Sequence, residues 1–375
     1  METEEKKQAD PKDSKLKAFL KKQNINISAK TYFVDAMSAM AQGLFASLLI
    51  GTIIGTLGQQ LKFDFLVDMG NYAKAMAGPA MAVAIAYALK ASPLVLFSML
   101  AVGHAANTLG GAGGPLAVFF IAIISTELGK LVSKQTKIDI LVTPLVAIGS
   151  GVSLSVATAP TIGDAASSIG EIIKWATDQQ PFLMGIVVSV VVGMVLTLPI
   201  SSAAICMALS LDGLAGGAAV AGCCAQMIGF AFMSFRENKV GGLVSQGIGT
   251  SMLQMGNIVK NPRIWIPPTL ASAITGPIAT CIFKLQMNGA PISSGMGTCG
   301  FVGQIGVISG WADNGWAAQL IKNADGEIID TVAVTAFDWI GLGLVCFILP
   351  AVLSWLICLW LRKINWIKEG DLKLK

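Results

Sequence analysis

ASPLVLFSMLAVGHAANTLGGAGGPLAVFFIAIIST, residues 91–126, contains no Asp, Glu, Lys or Arg. A helix needs about 20 apolar residues to cross the hydrocarbon core of a bilayer, so this stretch predicts two passes, 93–109 and 114–132, joined by its glycine-rich middle. Other charge-free windows lie on either side, at 36–61, 140–163, 179–211, 213–235, 240–259, 264–283, 285–312 and 339–361. The pattern is that of an all-α polytopic membrane protein.

Composition agrees: 54% of residues are hydrophobic, 13% are charged and the mean hydropathy is +0.69, outside the range of soluble domains. The longest polar stretches are the first 30 residues, 311–331 and the last dozen, which excludes a sizeable soluble catalytic domain. The Lys/Glu-rich opening is not the pattern of a cleavable signal peptide. All seven cysteines lie in apolar segments and the chain has one histidine, so neither a disulfide framework, a zinc site nor any other cofactor is expected. The net charge of +4 is carried by the ends and turns, where it suits contact with membrane lipid and gives no reason to expect nucleic acid.

Lys and Arg near the spans set orientation. Residues 1–30 hold eight lysines, and Arg362, Lys363, Lys368, Lys373 and Lys375 crowd the other end. Both termini are therefore expected in the cytoplasm of a cell-membrane protein, with an even number of crossings. Lys130, Lys134 and Lys137, the pair Arg236 and Lys239, and the pair Lys260 and Arg263 predict further cytoplasmic turns. Segment 311–331, with Asp313, Asp325, Glu327 and Asp330 against Lys322, predicts an outside loop. The chain divides into a cytoplasmic segment 1–30, a transmembrane domain 31–361 and a cytoplasmic tail 362–375.

Besides the two passes above, the expected crossings are 34–57, 66–89, 138–157, 182–198, 214–234, 264–286 and 332–361. Residues 199–211, after Pro199, and the Gly-rich 289–309 are too broken for ordinary spans. Such backbone is tolerated at membrane depth only where it is buried in protein or lines a cavity. Residues 159–178 predict an interfacial amphipathic helix. Residues 241–260, with Ser245, Gln246, Ser251, Gln254 and Asn257, are too polar to face lipid.

Ser201, Ser202, Gln254, Asn257, Ser293 and Ser294 are candidate ligands for a small polar solute, since neutral donors and acceptors suit an uncharged polyol. Close helix packing is the other use of such serines. His104, with Asn107 nearby, is an intramembrane ionisable group and a candidate for that reason; a neutral imidazole bridging two helices is the alternative. Arg236 and Glu237, with Asn238, end a predicted helix where they could grip a sugar or an anion, although a positive-inside turn accounts for them equally. Glu127 and Lys130 predict a helix-end ion pair. Asp35, Lys74 and Asp338 sit at span ends, where snorkelling is the default.

The order of VGHAANTLGGAGGPLAVFFIAIISTELGKLV (102–132), LVTPLVAIGSGVSLSV (141–156) and LPISSAAICMAL (198–209) resembles the membrane subunit of the fructose-type phosphotransferase system. GIGTSMLQMGNIVKNPRIWIPPTLASAITGPI (247–278) and GAPISSGMGTCGFVG (289–303) fall where that family places its sugar-binding segments. Over about 32–361 the chain is closer still to stand-alone EIIC-like proteins called PfoR-like toxin regulators. The resemblance implies about ten crossings, two re-entrant hairpins, a homodimer and a transport domain moving against a scaffold.

The chain also departs from that pattern. Met252, Leu253 and Gln254 stand where the family has Ile-Thr-Glu-Gly, Ser201 and Ser202 replace Asn-Lys, and Ala290 to Ser294 replace Ala-Pro-His-Gly-Gly. Each change removes a charged or titratable group. An amide cannot accept a hydroxyl proton as a carboxylate can, and phosphate would have to come from a separate EIIB-type subunit. The leading expectation is an EIIC-like carrier importing a sugar or polyol by alternating access from a site at the membrane midplane. The alternatives are a membrane sensor regulating gene expression and a phosphotransferase component working with separate EIIA and EIIB proteins.

Overall fold

The computed structural model describes residues 18–177, 179–312, 318–322 and 328–374. Most of the lysine-rich opening (1–17), Asp313, Asp325, Glu327 and Lys375 lie outside the described residues.

Small residues decide how the first bundle closes. Helix α1 (Lys30–Leu61) packs backbone to backbone on α2 (Asp64–Ala75): a Cβ on Gly51 would stand 2.7 Å from the Gly70 carbonyl oxygen, and one on Gly58 2.7 Å from the Val67 nitrogen. The chain breaks at Met76 and resumes as α3 (Ala77–Ala88), so the expected span 66–89 is two helices. Pro79 has no N–H to give the Ala75 carbonyl four residues back, which ends α2 there. Helices α4 (Pro93–Gly110) and α5 (Gly114–Val132) are antiparallel legs, reversed at Gly111 with φ +50°. The Ser92 and Ser133 hydroxyls, 2.8 Å apart, close the far end.

Helix α6 (Asp139–Thr177) is continuous over 39 residues and absorbs both the expected span 138–157 and the expected interfacial helix 159–178. Pro160 does not break it. Proline is tolerated within membrane helices whose neighbours cover the freed backbone, and α6 packs along both α4 and α5.

The second bundle comprises α7 (Pro181–Thr197), α8 (Ser202–Ala208), α9 (Gly213–Met233), α10 (Phe235–Val244), α11 (Met255–Lys260) and α12 (Ile266–Pro277). Helix α9 is its axis: 89% of its most apolar window is buried, against 22% for the outer helix α6. Gly222 lets Ser189 of α7 lie directly on α9, and Ser272 of α12 donates to the Gly222 carbonyl at 3.3 Å. After α12 the chain passes through a short turn, Pro291–Gly295, into α13 (Val302–Ala312).

The expected outside loop contains an antiparallel ribbon, β1 (Ala318–Lys322) with β2 (Ile328–Ala333), so among the described residues the fold is all-α apart from these two strands. Helix α14 (Ala336–Lys363) follows. Asp338 does not snorkel. It is buried and caps α14, accepting from the Thr335 N–H and hydroxyl at 2.8 Å each and from Gln319 Nε2 at 3.0 Å.

The basic clusters gather at one end of the molecule. Tyr32 donates to Glu127 at 3.2 Å, and Lys130 Nζ donates to the carbonyls of Leu89 at 2.8 Å and Asn24 at 2.9 Å. Gly256 lies against Ser38, and Arg362 pairs with Glu237 at 2.6 Å. The ribbon sits at the other end, where Met287 and Gly213, the first residue of α9, exchange two backbone bonds of 2.9 Å. The 21 residues of α9 separate the ends by about 30 Å at about 1.5 Å per residue. Five helical stretches among the described residues are long and apolar enough by themselves to cross a membrane: α1, the α4–α5 pair, α6, α9 and α14.

Candidate functional site: a neutral polar seam

The segment after α10 changes geometry repeatedly. A wide turn (Ser245–Gly249) meets an extended Thr250 (φ −158°, ψ 142°), then a tight turn (Ser251–Gln254), then α11. These breaks turn its polar side chains inward, and Gln246, Ser251 and Gln254 are fully buried. Gln254 Nε2 donates to Gln246 Oε1 at 2.8 Å, and Gln254 Oε1 accepts from Asn257 Nδ2 at 2.8 Å. Gln246 Nε2 continues to Ser234 Oγ at 2.9 Å.

Deeper in, Ser251 Oγ lies 2.8 Å from Thr197 Oγ1. Thr197 reaches Gln226 Oε1 at 3.3 Å, which also accepts from Trp265 Nε1 at 3.0 Å, while Gln226 Nε2 donates to Thr269 at 3.3 Å. The result is two hydrogen-bonded sets, Asn257–Gln254–Gln246–Ser234 and Ser251–Thr197–Gln226, brought side by side by the Ser251–Gln254 turn into a seam of amides and hydroxyls beside α9. Buried polar groups are costly unless paired, and these pair with one another. Every group bonded to Gln226, Gln246 and Gln254 is neutral, so these amides can orient hydroxyls but do not themselves exchange a proton with them. No group of three His, Cys, Asp or Glu among the described residues is arranged to hold a metal.

At its basic end the seam opens into a cavity of about 210 Å³ lined by Ser38, Gln42, Ser245, Leu253, Asn257, Lys373 and Leu374. The last two belong to the segment after α14, expected as a cytoplasmic tail. Instead it docks: the Leu372 carbonyl accepts from Gln254 Nε2 at 2.9 Å and Asn238 Nδ2 at 2.7 Å, and the Lys373 carbonyl accepts from Asn257 Nδ2 at 3.0 Å.

A family model described as phosphotransferase system, EIIC, matches residues 34–374. The chain belongs to this EIIC family. It is therefore a multi-pass membrane protein and a transporter component of phosphotransferase type. No curated protein and no solved structure matches it.

The other candidate residues of this EIIC chain divide by place. Ser201 accepts from the Ala204 N–H at 3.2 Å and caps α8. Ser202 donates to the Gly295 carbonyl at 2.7 Å, and Ser294 to the Leu211 carbonyl at 2.5 Å, so the two broken pieces are tied to each other. Ser293 is buried against Gly306. Ser201 and Ser202 share a small cavity of about 30 Å³ with Thr250 and Met252, which brings α8 beside the seam but opens it to little more than a water.

His104 is exposed on the outer face of α4, and Asn107 packs at Gly78 and Gly114. Both belong to the first bundle, away from the seam. Arg236 is exposed at an apolar groove between α9, α10 and α14, whereas Glu237 is committed to Arg362. Gln226 and Thr197 are the seam members that sequence reasoning missed. A lone amide in the otherwise small and apolar run 213–233 was the available signal.

Proposed function

We propose that this EIIC protein binds an uncharged sugar or polyol in the seam and imports it by alternating access. The observation that carries the reading is the buried ladder Asn257–Gln254–Gln246, continued inward by Ser251, Thr197 and Gln226. Amides and hydroxyls both donate and accept, so solute hydroxyls can replace one partner after another along it without exposing a bare polar group. The broken pieces around Ser202 and Ser294 are re-entrant in this reading, and the basic end faces the cytoplasm of the cell membrane.

Because Gln254 cannot take up a proton, phosphorylation of the solute requires phosphate and base from a separate EIIB-type subunit. A homodimer, as the family resemblance implies, is the proposed assembly.

The test is uptake of radiolabelled D-fructose and D-mannitol, with other hexoses and hexitols, into proteoliposomes. Saturable uptake that Gln254→Ala abolishes, with the product unmodified when no EIIB protein is added, supports the carrier. Binding without saturable flux for any of these solutes would sink it.

A further inference from the structure

The seam's outward amides are satisfied in this conformation by the chain itself. Trp366–Leu374 forms neither helix nor strand, yet Leu372 is fully buried and Ile367 nearly so. Its backbone is held by side chains of the seam: Asn238 grips it on both sides, donating to the Leu372 carbonyl at 2.7 Å and accepting from the Leu374 N–H at 2.8 Å. Gln254 and Asn257 supply the other two bonds, of 2.9 and 3.0 Å. Farther along, Asn261 Nδ2 donates to Asp371 Oδ2 at 2.8 Å and to the Trp366 carbonyl at 3.0 Å, and the Arg263 guanidinium lies 5.0 Å from the Trp366 ring centre.

We propose that this segment is a displaceable strap: it occupies the amides that a solute needs and must leave before the solute enters from the basic end. The inference rests on the solute site proposed for the seam. Three features carry it.

The first is size. With Lys373 and Leu374 as its wall the cavity measures about 210 Å³, below the roughly 300–1,000 Å³ of ordinary small-molecule sites. Removing that wall both enlarges the cavity and opens it outward.

The second is exchange. A peptide carbonyl and a sugar hydroxyl are interchangeable acceptors for an amide N–H: on release of the strap Gln254 and Asn257 each keep one bond, to Gln246 and to Gln254, and free a second N–H for another acceptor. A solute hydroxyl entering from the opened side can take each place. Strap and solute are then alternatives for the same donors, and the docked fraction lowers the apparent solute affinity in proportion.

The third is chemistry. The strap mixes the buried Ile367 and Leu372 with Lys368, Glu369, Asp371 and Lys373. Its charged residues let the segment be hydrated when released, unlike the apolar helices around it, and release exposes only two large apolar side chains, Ile367 and Leu372, that the docked strap buries.

The experiment uses the full chain in nanodiscs and a water-soluble maleimide. Cys281 is the exposed one of the seven cysteines, so Cys281→Ser gives a quiet background. Leu372→Cys reports the docked strap and Lys368→Cys the exposed reference on the same segment. The strap predicts labelling of Leu372→Cys about tenfold slower than Lys368→Cys, a gap that Gln254→Leu narrows to about threefold. Saturating D-fructose or D-mannitol should accelerate Leu372→Cys by about threefold or more through the same coupling.

Where Leu372→Cys lowers the unfolding midpoint, Leu374→Cys takes its place. If Gln254→Leu leaves the rate slow while a sugar or polyol still shifts the unfolding midpoint of the parent protein, the strap is a fixed part of the fold. The proposal is then overturned and the seam remains a solute site. If Gln254→Leu frees the segment but no hexose or hexitol alters labelling or the midpoint, both the strap's competition and the solute site are overturned.

Discussion

At the residue scale the amides and the serines carry different predictions. Gln254→Ala removes the partner of Gln246, Asn257 and Leu372 together. It is expected to cost about 1–3 kcal/mol of stability, seen as a lower unfolding midpoint, and to abolish stabilisation by a solute. Ser202→Ala leaves the Gly295 carbonyl without its 2.7 Å donor. It should cost about 1 kcal/mol while solute affinity stays within about twofold, and a larger affinity loss would return Ser202 to the site. Gln254 and Asn257 were legible as site candidates in the sequence because an amide in a membrane segment is too costly to leave unpaired. His104 was a candidate on another ground, as an intramembrane ionisable group. Its outward position on α4 depends on which helix face α3, α5 and α6 cover, which no local pattern encodes.

Among the elements, close approach and a buried ion pair are the testable features. A Cβ at Gly222 runs into the Ser189 carbonyl of α7. Gly222→Ala is therefore expected to force α7 off α9 at a cost of about 1–3 kcal/mol, read as reduced thermal stability, while Gly149→Ala, where a Cβ meets nothing within 4 Å, serves as the silent control. Lys130 is buried, with Glu127 at 3.1 Å and the Asn24 and Leu89 carbonyls on its ammonium. Lys130→Met leaves an uncompensated carboxylate, with an expected loss of about 3–5 kcal/mol. Glu127→Gln in the same chain should recover much of it, and a double-mutant cycle by thermal unfolding measures that coupling. The sequence marked a helix end well where glycines cluster, as at Gly110–Gly114. It could not tell Pro79 from Pro160. The break before Pro79 falls at Met76, which is half exposed, whereas Pro160 lies where α6 packs on the Gly110–Gly113 turn between α4 and α5.

For the whole molecule, both described ends of the chain lie together, since Ser38 near the start of α1 and Leu374 line one cavity. Lys22→Cys and Glu369→Cys are therefore expected to label from the same face of oriented vesicles, and Asp330→Cys on the ribbon from the opposite face. Labelling of all three from one face would overturn the two-ended arrangement. The sequence by itself determined that the chain is a polytopic helical membrane protein, where its basic turns fall, and that 241–260 is too polar for lipid. It did so because the cost of placing a charge or an amide in hydrocarbon is local and additive, and can be read residue by residue. Only the tertiary structure decided that 364–374 is docked and not free, that Gln226 and Thr197 extend the seam, and that Ser202 and Ser294 tie two broken segments together. Those outcomes depend on which distant group reaches each unsatisfied donor first in a close-packed interior, and hydropathy carries no record of that choice.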